Sequence, residues 1–221
     1  GRAHDIAVAT DGTAWVIGDN KLPGGRGIYF RGPKDKDWGS LPGGAVRIAV
    51  ADTTPWLVND GGIAFERTGT TWANRPVLAG GKIMKAVDIG ASAKGVWAVA
   101  EPVKEGSFAV YRWTGKQWLR DQSAWGTRIT VDRDGNPWLT NAAGQIFALV
   151  GGKWQPFKGT AQDIAVDAFG APVVIDAKGK LLAFNPGTNS WVATGRDAAA
   201  VAVGGGNIWH LGPKTEVYRQ K

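Results

Sequence analysis

The chain has no cysteine, one methionine and two histidines among its 221 residues, and these scarcities close off several chemistries. Without cysteine there is no disulfide, no thiol nucleophile and no thiolate metal site. Two histidines with no ligand set beside them make a poor metal site, so neither a metal nor another cofactor is expected. No apolar run approaches the ~20 residues a helix needs to span a bilayer, and the first residues do not read as a signal peptide. No block of one charge sign reaches five residues, which argues against a solvated disordered tail. No segment keeps a helical apolar period for three turns. Catalytic signatures are missing too. There is no Ser-His-Asp order, no carboxylate pair outside the repeats and no phosphate loop. The Gly24-Gly25, Gly80-Gly81 and Gly204-Gly205-Gly206 runs read as turns, because a phosphate cradle needs a helix behind it. The chain is not expected to be an enzyme.

What is abundant is glycine, with 33 residues, and tryptophan, with 12. That pairing fits frequent tight turns between strands packed by flat aromatic rings. The formal charge of +7 favours anionic partners. Its carriers are scattered rather than set in a stripe, and no recognition helix or RNA-binding motif accompanies them, so nucleic acid is not expected.

The sequence repeats itself. DIAVATDGTAW from Asp5, RIAVADTTPW from Arg47, AVDIGASAKGVW from Ala86, RITVDRDGNPW from Arg128, DIAVDAFGAPV from Asp163 and AAVAVGGGNIW from Ala199 are six copies of one pattern. Trp15, Trp56, Trp97 and Trp138 follow one another at intervals of 41 residues, and Val173 takes that place in the fifth copy. After each comes a third apolar strand, and then a fourth opening on Trp38, Trp72, Trp118, Trp154 or Trp191. Period-two alternation broken by Gly, Asp and Asn marks strands joined by hairpins. Four short strands per copy predict propeller blades, because one such sheet cannot bury both faces alone.

The expectation is an all-β, single six-bladed β-propeller over 1–221, with blades near 5–46, 47–85, 86–127, 128–162, 163–198 and 199–221. The sixth copy is one outer strand short. Either that blade has three strands, or a closing strand stood upstream of Gly1 in a longer parent. Recurrent Asp5, Asp11 and Asp163 are expected to accept backbone hydrogen bonds.

The phrase D-I-A-V-x-x-D-G-T-x-W, the following I-Y-R-like strand and the tryptophan-opened fourth strand resemble the tectonin repeat across essentially the whole chain. Copies two, three and six lack the Asp-Gly turn. The resemblance implies a lectin that binds glycans or glycoconjugates, such as methylated or lipopolysaccharide-type sugars, in pockets between blades. Some members of that family are instead protein-interaction modules within larger proteins, which is the alternative reading here. An extracellular, cell-surface or periplasmic location would suit a lectin, with the cytoplasm left open.

The recurrent tryptophans are expected to pack blades together. Trp113 and Trp125 stand off the pattern and are the aromatic candidates for a ligand. The longest insertions, Gly18–Gly27, Ala79–Lys85, Glu101–Ser107 and Arg120–Thr127, are expected as loops on one face, where Arg26, Lys82, Lys104 and Arg120 would supply positive charge. His4 and His210 are placed near the seam where the ring closes; their meeting there would be coincidence rather than a metal site.

Overall fold

A computed structural model of the chain describes residues 1–104, 106–167 and 169–220. They form 25 strands and no helix. Blade one holds β1 (Ala3–Val8), β2 (Ala14–Leu22), β3 (Gly25–Arg31) and β4 (Gly39–Ala45). Blade two holds β5 (Arg47–Ala51), β6 (Thr54–Val58), β7 (Ala64–Thr68) and β8 (Thr71–Asn74). A separate two-stranded hairpin, β9 (Val77–Ala79) and β10 (Lys82–Met84), follows it. Blade three comprises β11 (Ala86–Ser92), β12 (Gly95–Lys104), β13 (Ser107–Trp113) and β14 (Trp118–Gly126). Blade four comprises β15 (Arg128–Val131), β16 (Pro137–Thr140), β17 (Gln145–Val150) and β18 (Lys153–Thr160). Blade five comprises β19 (Asp163–Val166), β20 (Pro172–Ile175), β21 (Lys180–Asn185) and β22 (Ser190–Asp197). Blade six has three strands, β23 (Ala200–Gly204), β24 (Asn207–Leu211) and β25 (Val217–Gln220). Every blade is an antiparallel meander from the axis outward.

The core is not one mass but six clusters, each between two neighbouring blades. Five of them centre on tryptophan. Trp56 and Trp118 meet edge to face between blades two and three, with ring centres 6.2 Å apart. Trp97 and Trp154 do so between blades three and four, and Trp138, Phe157 and Trp191 between four and five. Trp209 and Trp38 join blade six to blade one, and Trp15 and Trp72 join one to two. The cluster between blades five and six is wholly aliphatic: Val173, Ile175, Leu181, Val201 and neighbours. Tryptophan recurs because each blade must cover a broad apolar face of the next, and one indole does so with little side-chain entropy lost.

Around the axis, residues near the start of the innermost strands alternate in sign from blade one to blade five. Asp5, Arg47, Asp88, Arg128 and Asp163 come from blades one to five, and Ala200 takes the sixth place. Each aspartate accepts the backbone amide of the next blade: Asp5 from Ile48 (2.7 Å), Asp88 from Ile129 (2.9 Å) and Asp163 from Val201 (3.0 Å). The guanidinium of Arg47 lies 3.5 Å from Asp88, and that of Arg128 lies 3.6 Å from Asp163. Asp11 serves its turn, accepting the Thr13 amide at 2.8 Å.

One sequence expectation is corrected. The four long insertions are mostly strand. Gly18–Gly27 is the prolonged β2–β3 hairpin, with Lys21 opposite Arg26, and Ala79–Lys85 is largely the β9–β10 hairpin. Glu101–Ser107 prolongs β12 into β13, with Glu105 outside the described residues, and Arg120–Thr127 is the bulged outer half of β14. Ribbons with solvent on both faces need no apolar alternation, so nothing in the sequence marked them as strand. The two histidines have separate partners. His4 Nε2 lies 2.8 Å from Asp19, while His210 is buried on the blade-five side of blade six, stacked on Tyr218 with ring centres 5.3 Å apart.

Candidate functional site

A cavity of about 510 Å³ opens between blades three and four, and the strand irregularities of blade three create it. In β14 the pairing passes from Asp121 opposite Val110 directly to Trp125 opposite Ala109, so the residues between bulge outward. The bulge turns the Asp121 carboxylate toward blade four. There it accepts the Ser123 amide (2.8 Å), the Ser123 hydroxyl (2.6 Å) and the Trp154 indole N–H (2.9 Å). Partial burial works to raise the Asp121 pKa, but the bonds from Ser123 and Trp154 together outweigh it and hold the carboxyl below its ordinary value.

Beyond the bulge Trp125 stands as one wall of the cavity, 42% exposed. Lys104, at the end of the prolonged β12, lies over its ring with Nζ 5.8 Å from the centre. Leu139, Phe147 and Trp154 make an apolar floor. The rim is polar. Buried Ser107 accepts the Ala142 amide at 3.1 Å. Asn141 caps its turn by accepting from Ala143 (3.1 Å) and Gln145 (3.0 Å), and its own amide group donates to Gln145 Oε1 at 2.8 Å. The site is therefore organised before any ligand arrives, with an apolar base, an exposed indole and a cation on one edge.

Of the residues singled out in the sequence, Trp125 and Lys104 come together here. The others lie elsewhere. Trp113 is packed between Trp56 (5.9 Å) and Trp118 (5.3 Å), with the Arg75 guanidinium 5.6 Å from its ring centre. Arg120 is held by Glu101 at 3.2 Å; Glu101 also accepts the Tyr111 hydroxyl at 2.7 Å. Burial, with Glu101 alongside, pushes the Tyr111 hydroxyl up to about 12. Arg26 donates to the Asp19 carbonyl at 2.6 Å, and Lys82 sits on the exposed β9–β10 hairpin. Sequence reasoning did not single out Ser107, Asn141, Gln145 or Phe147. The one readable hint was the polar Thr140-Asn141 ending of the second strand in a copy whose neighbour carries an off-pattern tryptophan. Among the described residues no group of three or more His, Cys, Asp and Glu side chains could hold a metal ion.

No protein-family model and no curated protein sequence matches the chain. Solved structures share its shape. The β-propeller domain of Cps50 (Swd1) from Myceliophteria thermophila superposes with a TM-score of 0.64 at 10% identity, covering 98% of this chain and 82% of that one. The WD40 β-propeller domain of Doa1 gives 0.57 at 10% identity, covering 100% and 93%. YCF48 bound to D1 peptide gives 0.54 at 18% identity, covering 81% of this chain but only 66% of that one. At such identities the likeness establishes the fold and nothing further.

Proposed function

We propose that this propeller is a protein-interaction module that captures a polypeptide segment at the cavity between blades three and four. The observation that carries the proposal is the cavity itself: a preformed apolar floor beside the exposed Trp125, with Lys104 at its edge. Such a surface suits an apolar side chain flanked by a carboxylate, and the positive net charge would aid the encounter. The exposed indole and the cation come from blade three, on its bulged β14 and prolonged β12, and the apolar floor comes from blade four. No other copy carries a tryptophan seven residues after the one that opens its fourth strand. One specialised site suits one partner better than it suits a lectin with equivalent sites around the ring. YCF48, a neighbour in fold, is bound to D1 peptide in its solved structure, which supports a peptide ligand here. Binding without catalysis is part of the proposal.

One observation favours a second reading, glycan recognition. An indole with one face open, bordered by hydroxyl and amide groups, can stack the C–H face of a pyranose. One experiment separates the two. Purified chain is screened in parallel on an array of acidic-apolar peptides and on a glycan array that includes methylated and lipopolysaccharide-type sugars, followed by tryptophan fluorescence. Peptide hits lost in Trp125→Ala support the first reading, and glycan hits lost in the same variant support the second. Hits on either array that survive Trp125→Ala would move the site away from this cavity.

A further inference from the structure

Three two-stranded ribbons project from the packed body of the propeller. In blade one, residues 19–22 at the end of β2 are exposed where 16–18 are buried. In blade three, β12 emerges in the same way over 102–104. Between them stands the β9–β10 hairpin, which pairs with no blade. At its base Val77, fully buried, lies opposite Met84, which packs on the core between blades two and three. Beyond that base the hairpin stands in solvent, and nothing in the fold calls for aliphatic side chains. Yet Leu78 and Ile83, opposite each other, are 50% and 55% exposed. The ribbons share one face, because each follows a second or a fourth strand of an antiparallel meander. Contacts link them around the ring. The Asp60 amide, in the β6–β7 turn, donates to the Gly24 carbonyl at the blade-one tip (3.0 Å), and the Ala86 amide, just past β10, donates to the Gly62 carbonyl of that turn (2.9 Å).

Every ribbon sets an exposed aliphatic residue beside a lysine. Lys21 precedes Leu22, Lys82 precedes Ile83 with Lys85 beyond, and Val103 precedes Lys104. The acids nearby are mostly engaged: Asp19 with His4 and Arg26, and Glu101 with Arg120 and Tyr111. Among the described residues Lys21, Lys82 and Lys85 make no ion pair, and neither does Asp60, so the unpaired charge of this arc is positive. The core of a protein–protein contact is contiguous and poor in lysine. Here the aliphatic tips stand apart on separate ribbons, each with a cation at its side. That distribution complements an anionic bilayer, where aliphatic side chains enter the acyl boundary and lysines stay level with the phosphates.

We propose that these ribbons dock the propeller on a membrane surface rich in anionic phospholipid, with Leu78 and Ile83 inserted and Lys21, Lys82 and Lys85 at the headgroups. The attachment is peripheral. Each lysine at such a surface is worth roughly fivefold in partitioning, and salt screens that gain. Insertion of the aliphatic pair adds a contribution that salt does not remove.

The test is flotation of the whole chain with extruded vesicles, either phosphatidylcholine alone or a mixture in which a third of the lipid is phosphatidylglycerol. The chain is expected to float with the anionic vesicles, at least tenfold less with the neutral ones, and less in high salt. Leu78→Ser with Ile83→Ser should weaken binding tenfold or more, and so should Lys82→Gln with Lys85→Gln, with the melting temperature unchanged in both. Lys34→Gln with Lys36→Gln removes the same charge from the β3–β4 connection on the opposite face, and should change binding less than twofold. Because the chain has no cysteine, Ile83→Cys accepts a single environment-sensitive dye, whose emission should shift to the blue on anionic vesicles. The same dye at Lys34→Cys should not respond. No flotation, equal flotation with both vesicle types, equal losses from the two lysine pairs, or binding that survives Leu78→Ser with Ile83→Ser would overturn the proposal. Self-association without vesicles, abolished by that aliphatic pair of changes, would assign the tips to a second copy of the chain and overturn it too. Leu78 and Ile83 lie outside the cavity between blades three and four, so their replacement should leave peptide capture there unchanged and each reading can fail alone.

Discussion

The axial charge ring predicts that the protein becomes less stable as pH rises through neutrality. Asp88 and Asp163 each face an arginine contributed by the blade before them, but blade six offers Asp5 only Ala200. Arg47, on the following blade, comes no closer to Asp5 than 4.0 Å. Burial is the dominant effect on Asp5. Arg47, Arg128 and the Ile48 amide oppose it, Asp88 adds to it, and the carboxyl ends near pH 7 instead of 3.8. Burial likewise raises Asp163. A group whose folded pKa lies above its unfolded value stabilises fully below the unfolded pKa and loses that contribution as pH climbs through the folded one. For Asp5 the window runs from about pH 4 to just above 7. Its rise from 3.8 to about 7 is roughly 3 pKa units, which at about 1.4 kcal/mol each sets a ceiling near 4 kcal/mol. Urea unfolding followed by tryptophan fluorescence at pH 5, 6, 7 and 8 measures the slope. Ala200→Arg should place a guanidinium against Asp5 much as Arg47 lies against Asp88, lower the Asp5 pKa and flatten the slope; Asp5→Asn should flatten it by removing the titration. A wild-type stability that does not fall between pH 5 and 8, or a fall that persists unchanged in both variants, would refute the reasoning.

Other outcomes follow from the same contacts. Arg47→Met strips Asp88 of its nearest cation inside the ring, and the loss should be about 3–5 kcal/mol by urea titration at pH 7. Gly90→Ala would set a methyl 2.8 Å from both the Ile129 carbonyl oxygen and Thr130 Cα, where innermost strands meet backbone to backbone, and should cost about 1–3 kcal/mol by thermal unfolding. Trp125→Ala, at a site open to solvent, should change stability by less than about 1 kcal/mol while weakening the partner that binds the cavity tenfold or more by titration calorimetry. Trp154→Phe keeps a ring in the cavity floor but removes the indole bond to Asp121, so the Asp121 pKa should rise by NMR titration.

The repeat was legible because strand alternation and turn glycines are local, and the tryptophan spacing counted the blades directly from the chain. The Asp-Gly turns, the recurrent aspartates and the packing role of the spaced tryptophans could likewise be read residue by residue. Trp125 and Lys104 stood out only as departures from pattern. What joined them, and set Trp113 and Arg120 apart from them, was a three-residue bulge in β14 whose position depends on Asp121 finding Trp154 in the next blade. The alternating ring of aspartate and arginine was written near the start of five of the six copies. Its meaning appeared only when six distant residues met at one axis. The aliphatic packing between blades five and six was likewise foreshadowed by Val173, but the partners it meets there, Val201 and Ile208 of blade six among them, are set by two blades packed side by side. Sequence alone determined the repeating unit, because backbone pairing and turn geometry act between neighbours in the chain. Tertiary structure decided the sites, because each is built where two blades far apart in sequence share a boundary.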